Sequence, residues 1–167
     1  MSCAAEDLPA AVSPSSSREA HLAAATGRDI ADIHALLARG VASGAFLPRT
    51  PHQLARRLRD FTVLRSGDAL EGVGSLSMLT PTTAELGVLT AASPALEARL
   101  LDKLLADAVD LGATRVLVLT NHAAPYTKRG FTPTTTGAFP EKHDYQCLRC
   151  AKRPSCRQQA LVWDGVS

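Results

Sequence analysis

One imidazole and three thiols fall within a short segment near the C-terminus, at His143, Cys147, Cys150 and Cys156. The Cys-x2-Cys spacing lets two thiolates bind one tetrahedral ion, and zinc is the ion that this donor set favours. We therefore predict a structural zinc site within residues 141–157. The alternatives are unligated thiols in a reducing compartment, or an iron-sulfur cluster whose fourth sulfur would come from the distant Cys3.

Basic residues form two local clusters, although 18 basic and 16 acidic residues leave a formal net charge of only +2. That balance is too mild to indicate a nucleic-acid-binding protein by itself. The clusters are either two solvated faces or two surfaces that contact phosphates. The cluster nearer the C-terminus would also offset the negative charge of the cysteine thiolates. The first comprises Arg49, Arg56, Arg57 and Arg59, and the second comprises Lys142, Arg149, Lys152, Arg153 and Arg157.

The ends of the chain and its hydropathy predict a cytoplasmic protein with no membrane partner. No apolar run approaches the ~20 residues that span a bilayer, and the N-terminus has no basic segment followed by an apolar core. Residues 1–19 are rich in Ala, Pro and Ser and predict a flexible leader. With 167 residues in all, residues 20–167 predict a single domain.

Periodicity predicts an α/β fold, in which a mixed, mostly antiparallel sheet is flanked by helices. Apolar residues make up 46% of the chain and aromatic residues 4%, so the core must be built mainly from Ala, Leu and Val. Strands are predicted at 21–25, 61–65, 69–79, 85–90, 116–120, from 131 and at 160–163. Helices are predicted at 29–41, from Pro51, at 95–111 and around 123–128.

Turn and cap residues support these boundaries. Thr50-Pro51 and Ser93-Pro94 each place a capping hydroxyl before a proline at the first helical position. Gly112 is expected to end the 95–111 helix in the left-handed conformation, and Gly130 to end the short helix. The cysteine-rich segment carries few apolar residues, so we expect it to need an external constraint.

The phrase Tyr126-Thr127-Lys128-Arg129-Gly130-Phe131 reads Y-x-K-x-G-F and follows the VLVLT strand and Asn121. In this order of elements it resembles the acceptor-side motif of the GNAT superfamily of N-acyltransferases. The resemblance extends from about His21 to Trp163. It is closest to the acetyltransferase domain of bacterial N-acetylglutamate synthases, through FLPRTPHQL, DFTVLRSGDALEGVGSL, LGATRVLVLT, KRGFTP and FPEK.

This resemblance implies an enzyme that transfers an activated acyl group to an amine. By that analogy, Tyr126 is the candidate general acid for the leaving group and Glu85 the candidate general base. Arg49 matches an arginine that holds the carboxylate of an amino-acid acceptor, and a guanidinium is suited to that task. Other positions implied by the resemblance are, on the acceptor side, Asn121 and Lys128, and on the donor side, Val88, Leu89 and Ser93.

The donor loop departs from the resembled pattern. Acetyl-CoA-dependent relatives follow the strand that matches residues 85–90 with a glycine-rich loop, whose backbone amides hold a pyrophosphate. Here the segment reads TAASPALEARL, without glycine, and it places Glu97 in the first turns of the helix. We therefore favour a donor without a pyrophosphate, namely aminoacyl-tRNA, with tRNA as a partner beside a small-molecule amine. The alternatives are an acetyl-CoA-dependent amino-acid N-acetyltransferase and a catalytically silent binding module.

Overall fold

The computed structural model describes residues 19–165, so all but the last residue of the expected leader lies outside the described part. The strands are β1 (His21–Ala24), β2 (Phe61–Ser66), β3 (Ala69–Met78), β4 (Thr83–Ala91), β5 (Arg115–Thr120), β6 (Thr132–Thr134) and β7 (Gln159–Asp164). The helices are α1 (Ile30–Ala42), α2 (Pro51–Arg56), α3 (Pro94–Asp110), α4 (Ala124–Thr127) and α5 (Pro140–His143). The order and type of the strands and α-helices agree with the sequence prediction apart from α5, and the short 3-10 turns were not predicted.

Helix starts and ends follow from cap chemistry. The Thr50 side chain accepts from the Gln53 N–H while the Gln53 side chain accepts from the Thr50 N–H, which closes a capping box over α2. Gly112 and Gly130 have φ of 92° and 85°, a region that side chains other than glycine avoid. Both glycines therefore reverse the chain directly after a helix, as the sequence predicted.

The seven strands form one sheet in the order β1-β2-β3-β4-β5-β7-β6. Every neighbouring pair is antiparallel except β4 and β5, which are parallel and joined by α3. A parallel pair needs such a crossover connection, because its second strand must start again at the same end of the sheet. The expected fold class, a mixed and mostly antiparallel sheet with flanking helices, is confirmed.

The sheet opens between β4 and β5. The two strands pair only from Thr83 with Arg115 to Leu86 with Val118. Beyond that point β5 continues to pair with β7 as far as Thr120, and β4 continues to pair with β3 as far as Ala91. The facing edges of β4 and β5 therefore separate, and the backbone of β4 from Gly87 onward has no strand on that side.

Helices cover both faces of the sheet and position this opening. The Leu100, Leu101 and Leu104 side chains of α3 are buried in a cluster that also contains Tyr126 and Phe131. Ile33 of α1 and Leu54 of α2 are buried in a second cluster. None of the described helices is both long and apolar enough to cross a bilayer.

Candidate active site

Two cavities meet at the opening of the sheet. The first, which we call the strand cleft, has a volume of 140 Å³ and lies between the separated edges of β4 and β5. The second, which we call the charged cavity, has a volume of 370 Å³. Gly87 lines both. A Cβ atom at position 87 would lie 2.8 Å from Ser75 Oγ, so a larger residue at this junction would displace the Ser75 hydroxyl.

Tyr126 lines the strand cleft. Its ring is buried and meets Phe131 edge to face, with ring centroids 5.5 Å apart. Burial raises the pKa of the Tyr126 hydroxyl well above its usual value, and the negative charge of Glu97 raises this pKa further. Tyr126 keeps its proton at neutral pH, as a general acid must before it donates, but the raised pKa makes it a weaker acid than an unperturbed tyrosine.

The end of β5 brings Asn121 and His122 to the strand cleft as well, but it does not bring Lys128 there. Lys128 is exposed just beyond α4 and lines neither cavity, so its expected acceptor-side role has no support from its position. His122 was missed in the sequence, where the only available signal was its place next to Asn121.

Two of the expected donor-side residues, Val88 and Leu89, lie at a β-bulge. Gly74 pairs with Leu89 and Leu76 pairs with Leu86, so Ser75 alone faces two residues of β4. The Val88 N–H donates to Ser75 Oγ at 2.9 Å. The Leu89 side chain lines the strand cleft, whereas the Val88 side chain is buried in the cluster beneath α1 and α2.

The N-terminus of α3 is partly occupied by its own cap. Ser93 Oγ accepts from the Leu96 N–H at 3.3 Å, and the Ser93 carbonyl accepts from the Glu97 N–H at 3.0 Å. Pro94 has no N–H to offer. Few amides of this first turn are thus free to bind a phosphate.

The charged cavity contains both the candidate base and the candidate carboxylate clamp. Glu85 is buried, and its Oε1 lies 2.6 Å from Lys142 Nζ. Arg49 is half-buried, and its pKa is lowered by burial and by the charge of Arg57, while Glu85 acts in the opposite direction. Arg57 itself is bound to Asp60 at 2.7 Å. Within residues 19–165, Arg49 makes no ion pair and is available to a ligand.

The cysteine-rich segment supplies one wall of the charged cavity, which sequence reasoning did not foresee. Lys142, Tyr145 and Gln146 line it, and Lys142 Nζ also donates to Gln146 Oε1 at 2.6 Å. The FPEK phrase was the available signal. In the sequence Lys142 was interpreted only as a cation that offsets thiolate charge.

The expected zinc ligands border a third cavity, of 560 Å³, but they do not form a metal site. Across the described part of the chain, no three His, Cys, Asp or Glu side chains are placed to hold an ion. His143 Nδ1 lies 2.9 Å from Asp144 Oδ1 instead. Burial raises the pKa of the Cys147 thiol despite the nearby charge of Lys142. The zinc expectation at His143, Cys147, Cys150 and Cys156 is therefore not supported.

A mixed sheet that opens between parallel β4 and β5, with α3 between them in sequence, defines the GNAT fold, and the chain has this fold. The same architecture occurs in N-acetylglutamate synthase from Neisseria gonorrhoeae, solved with coenzyme A and N-acetyl-glutamate, at a TM-score of 0.77 and 21% identity. That match covers 89% of this chain and 36% of the synthase chain, so the present chain spans about a third of that relative.

Two further structures give the same result over more of their own length. Rv2747 from Mycobacterium tuberculosis, in complex with CoA, matches at a TM-score of 0.73 and 22% identity, over 87% of this chain and 99% of that one. YncA from Salmonella typhimurium, solved with its cofactor acetyl-CoA, matches at a TM-score of 0.58 and 20% identity, over 70% of this chain and 82% of that one. No family model and no curated protein matches the sequence. At these identities the likeness establishes the fold.

Proposed function

We propose that the protein is an N-acyltransferase that moves an acyl group from a CoA thioester to the amine of a small, carboxylate-bearing acceptor. The observation that carries this proposal is the meeting of the two cavities at Gly87. A thioester held in the strand cleft and an amine held in the charged cavity would reach each other only at that junction.

The strand cleft suits the amide-containing arm of a CoA thioester. Because β4 has no strand on its cleft side beyond Leu86, its backbone groups there can pair with an extended ligand, in the way that a sheet edge pairs with a peptide. The three structural neighbours described above were solved with CoA or acetyl-CoA. The capped start of α3 would hold the phosphates of such a donor weakly. The aminoacyl-tRNA donor favoured from the sequence has no support from these neighbours, and we do not propose it.

The charged cavity supplies a base and a clamp. Arg49 would bind the acceptor carboxylate, since a guanidinium offers two parallel N–H donors to it. Glu85 would accept the proton of the amine, directly or through water, as the nitrogen attacks the thioester carbon. Tyr126 would donate its proton to the departing sulfur as the carbon–sulfur bond breaks. Glu85 then releases the proton it accepted to solvent, and Tyr126 regains one from solvent, so that protons and charge balance over the cycle.

The proposal is tested by incubating the full chain with acetyl-CoA and a panel of amino acids. Release of free CoA thiol is measured together with the acetylated product by mass spectrometry, and charged tRNA is offered in parallel. We expect CoA release that depends on both the amino acid and the enzyme. Binding of CoA without transfer to any amine would identify a silent binding module instead, and transfer from charged tRNA alone would reject the CoA donor.

A further inference from the structure

The charged cavity contains six ionisable side chains of fixed sign, and four of them neutralise each other. Lys142 is bound to Glu85 at 2.6 Å, and Arg57 is bound to Asp60. The remaining two are Arg49 and Glu141, which both line the cavity and which make no ion pair within residues 19–165. As far as residues 19–165 show, the cavity therefore presents one free cation and one free anion to a ligand.

Glu141 is held at this cavity by the same helix that delivers Lys142. Glu141 is partly buried and follows Pro140 at the start of α5. The Lys142 side chain is fixed on Glu85 and Gln146, so it is not free to turn back and neutralise its neighbour. A partly buried carboxylate without a counter-ion favours a ligand that brings a positive charge.

We propose that the acceptor is a diamino acid, an amino acid that carries a second positively charged nitrogen besides its α-amine. This inference rests on the proposed function and names the substrate class of the same site. The acceptor carboxylate binds Arg49, one nitrogen remains charged and binds Glu141, and the other nitrogen faces Glu85 and is acylated. Each charge of the ligand then meets an opposite charge that the protein leaves unpaired.

A dicarboxylic amino acid such as glutamate fits this arrangement poorly. Its second carboxylate would need a second free cation, but Lys142 and Arg57 are already bound to Glu85 and Asp60. Taking either cation would leave a protein carboxylate unpaired, and resting beside Glu141 would bring two negative charges together. The charge pattern thus separates this site from one that is built for glutamate.

The test compares kcat/KM for lysine, ornithine, glutamate and norleucine, the last being close to lysine in shape but without the second charge. The wild-type chain should favour lysine or ornithine over norleucine roughly tenfold, as expected for one hydrogen bond to a charged group. Glu141→Gln should remove that difference by lowering kcat/KM for lysine and ornithine roughly tenfold, toward the norleucine value. Glu71→Gln serves as the matched control, because Glu71 does not line the cavity and should leave the preference intact.

A wild-type preference for glutamate or norleucine would overturn the proposal, and so would a Glu141→Gln variant that keeps the lysine preference. The wild-type comparison needs no variant, so poor folding of Glu141→Gln would not leave the question open. Calorimetric binding of lysine and norleucine without any acyl donor separates this inference from the proposed function. Selective lysine binding without transfer would reject only the proposed acyltransferase activity. Transfer with no lysine selectivity in binding or turnover would reject only the proposal that the acceptor is a diamino acid.

Discussion

Lys142 Nζ and Glu85 Oε1 lie 2.6 Å apart, with 13% and 11% of their side-chain surfaces exposed. The pair joins α5 to β4 across the wall of the charged cavity. It attaches the cysteine-rich segment to the sheet at the candidate base. Because both charges are largely removed from water, each is stabilised mainly by its attraction to the other.

Replacing Lys142 by Met should lower the free energy of unfolding by about 3 kcal/mol, because Glu85 is left buried without a counter-ion. Lys142→Arg keeps the charge and should recover most of that loss. Urea denaturation at pH 7 measures both variants. If Lys142→Met unfolds within about 0.5 kcal/mol of the wild type, the ion pair does not fasten this segment to the sheet.

Tyr126→Phe should lower kcat by about 10²- to 10⁴-fold, the contribution typical of a positioned proton donor. The ring packing against Phe131 is kept, so the melting temperature should change little. Because the pKa of Tyr126 is raised above its ordinary value of ~10, its proton is retained up to at least that pH. A fall in wild-type activity between pH 8 and 10 would therefore have to come from another group, and unchanged turnover in Tyr126→Phe would reject the acid role.

Arg49→Ala should raise KM for a carboxylate-bearing acceptor by roughly 10- to 100-fold, since a charged hydrogen-bonding partner is lost. The value of kcat should stay within a few fold, because the clamp binds the substrate and does not take part in proton transfer. Arg59→Ala is the matched control, as Arg59 is exposed and does not line the charged cavity. Equal effects of the two substitutions would show that Arg49 contributes only to the overall surface charge and does not bind the acceptor carboxylate specifically.

Much of the fold could be predicted because its signals are local. The spacing of Ile33 and Leu37, the Ser93-Pro94 start of α3 and the turn at Gly130 each depend on residues a few positions apart. Strand order is different. The insertion of β7 between β5 and β6 is fixed by pairing between distant segments, and periodicity gives no measure of which partner a strand will choose.

In the candidate site, too, the residues marked by local sequence signals could be predicted and those that depend on distant contacts could not. Glu85, Arg49 and Tyr126 were chosen through a resemblance of short phrases, and the structure places all three at the two joined cavities. Lys142 was interpreted through its cysteine neighbours, because nothing local to it indicates that it reaches Glu85. The Cys-x2-Cys spacing allows two thiolates to converge, but it does not require the remaining ligands to follow.

Ser93→Gly should have opposite effects on stability and on donor binding. Loss of the Ser93 Oγ bond removes a helix cap but frees the Leu96 N–H at the start of α3. Glycine is itself a tolerated capping residue, so the free energy of unfolding should fall by only a few tenths of a kcal/mol. The freed amide adds one donor for a phosphate, which should lower the Kd for CoA roughly fivefold, the equivalent of ~1 kcal/mol for one hydrogen bond.

Isothermal titration calorimetry with CoA measures this effect, and pantetheine, the phosphate-free arm of CoA, is the control ligand. Pantetheine lacks the pyrophosphate, so its affinity should be the same in the wild type and in Ser93→Gly. A gain for both ligands would indicate a change in the strand cleft itself. Weaker CoA binding by the variant would show that the Ser93 cap supports the donor site, since the phosphates would then depend on the ordered first turn of α3 more than on the number of its free amides.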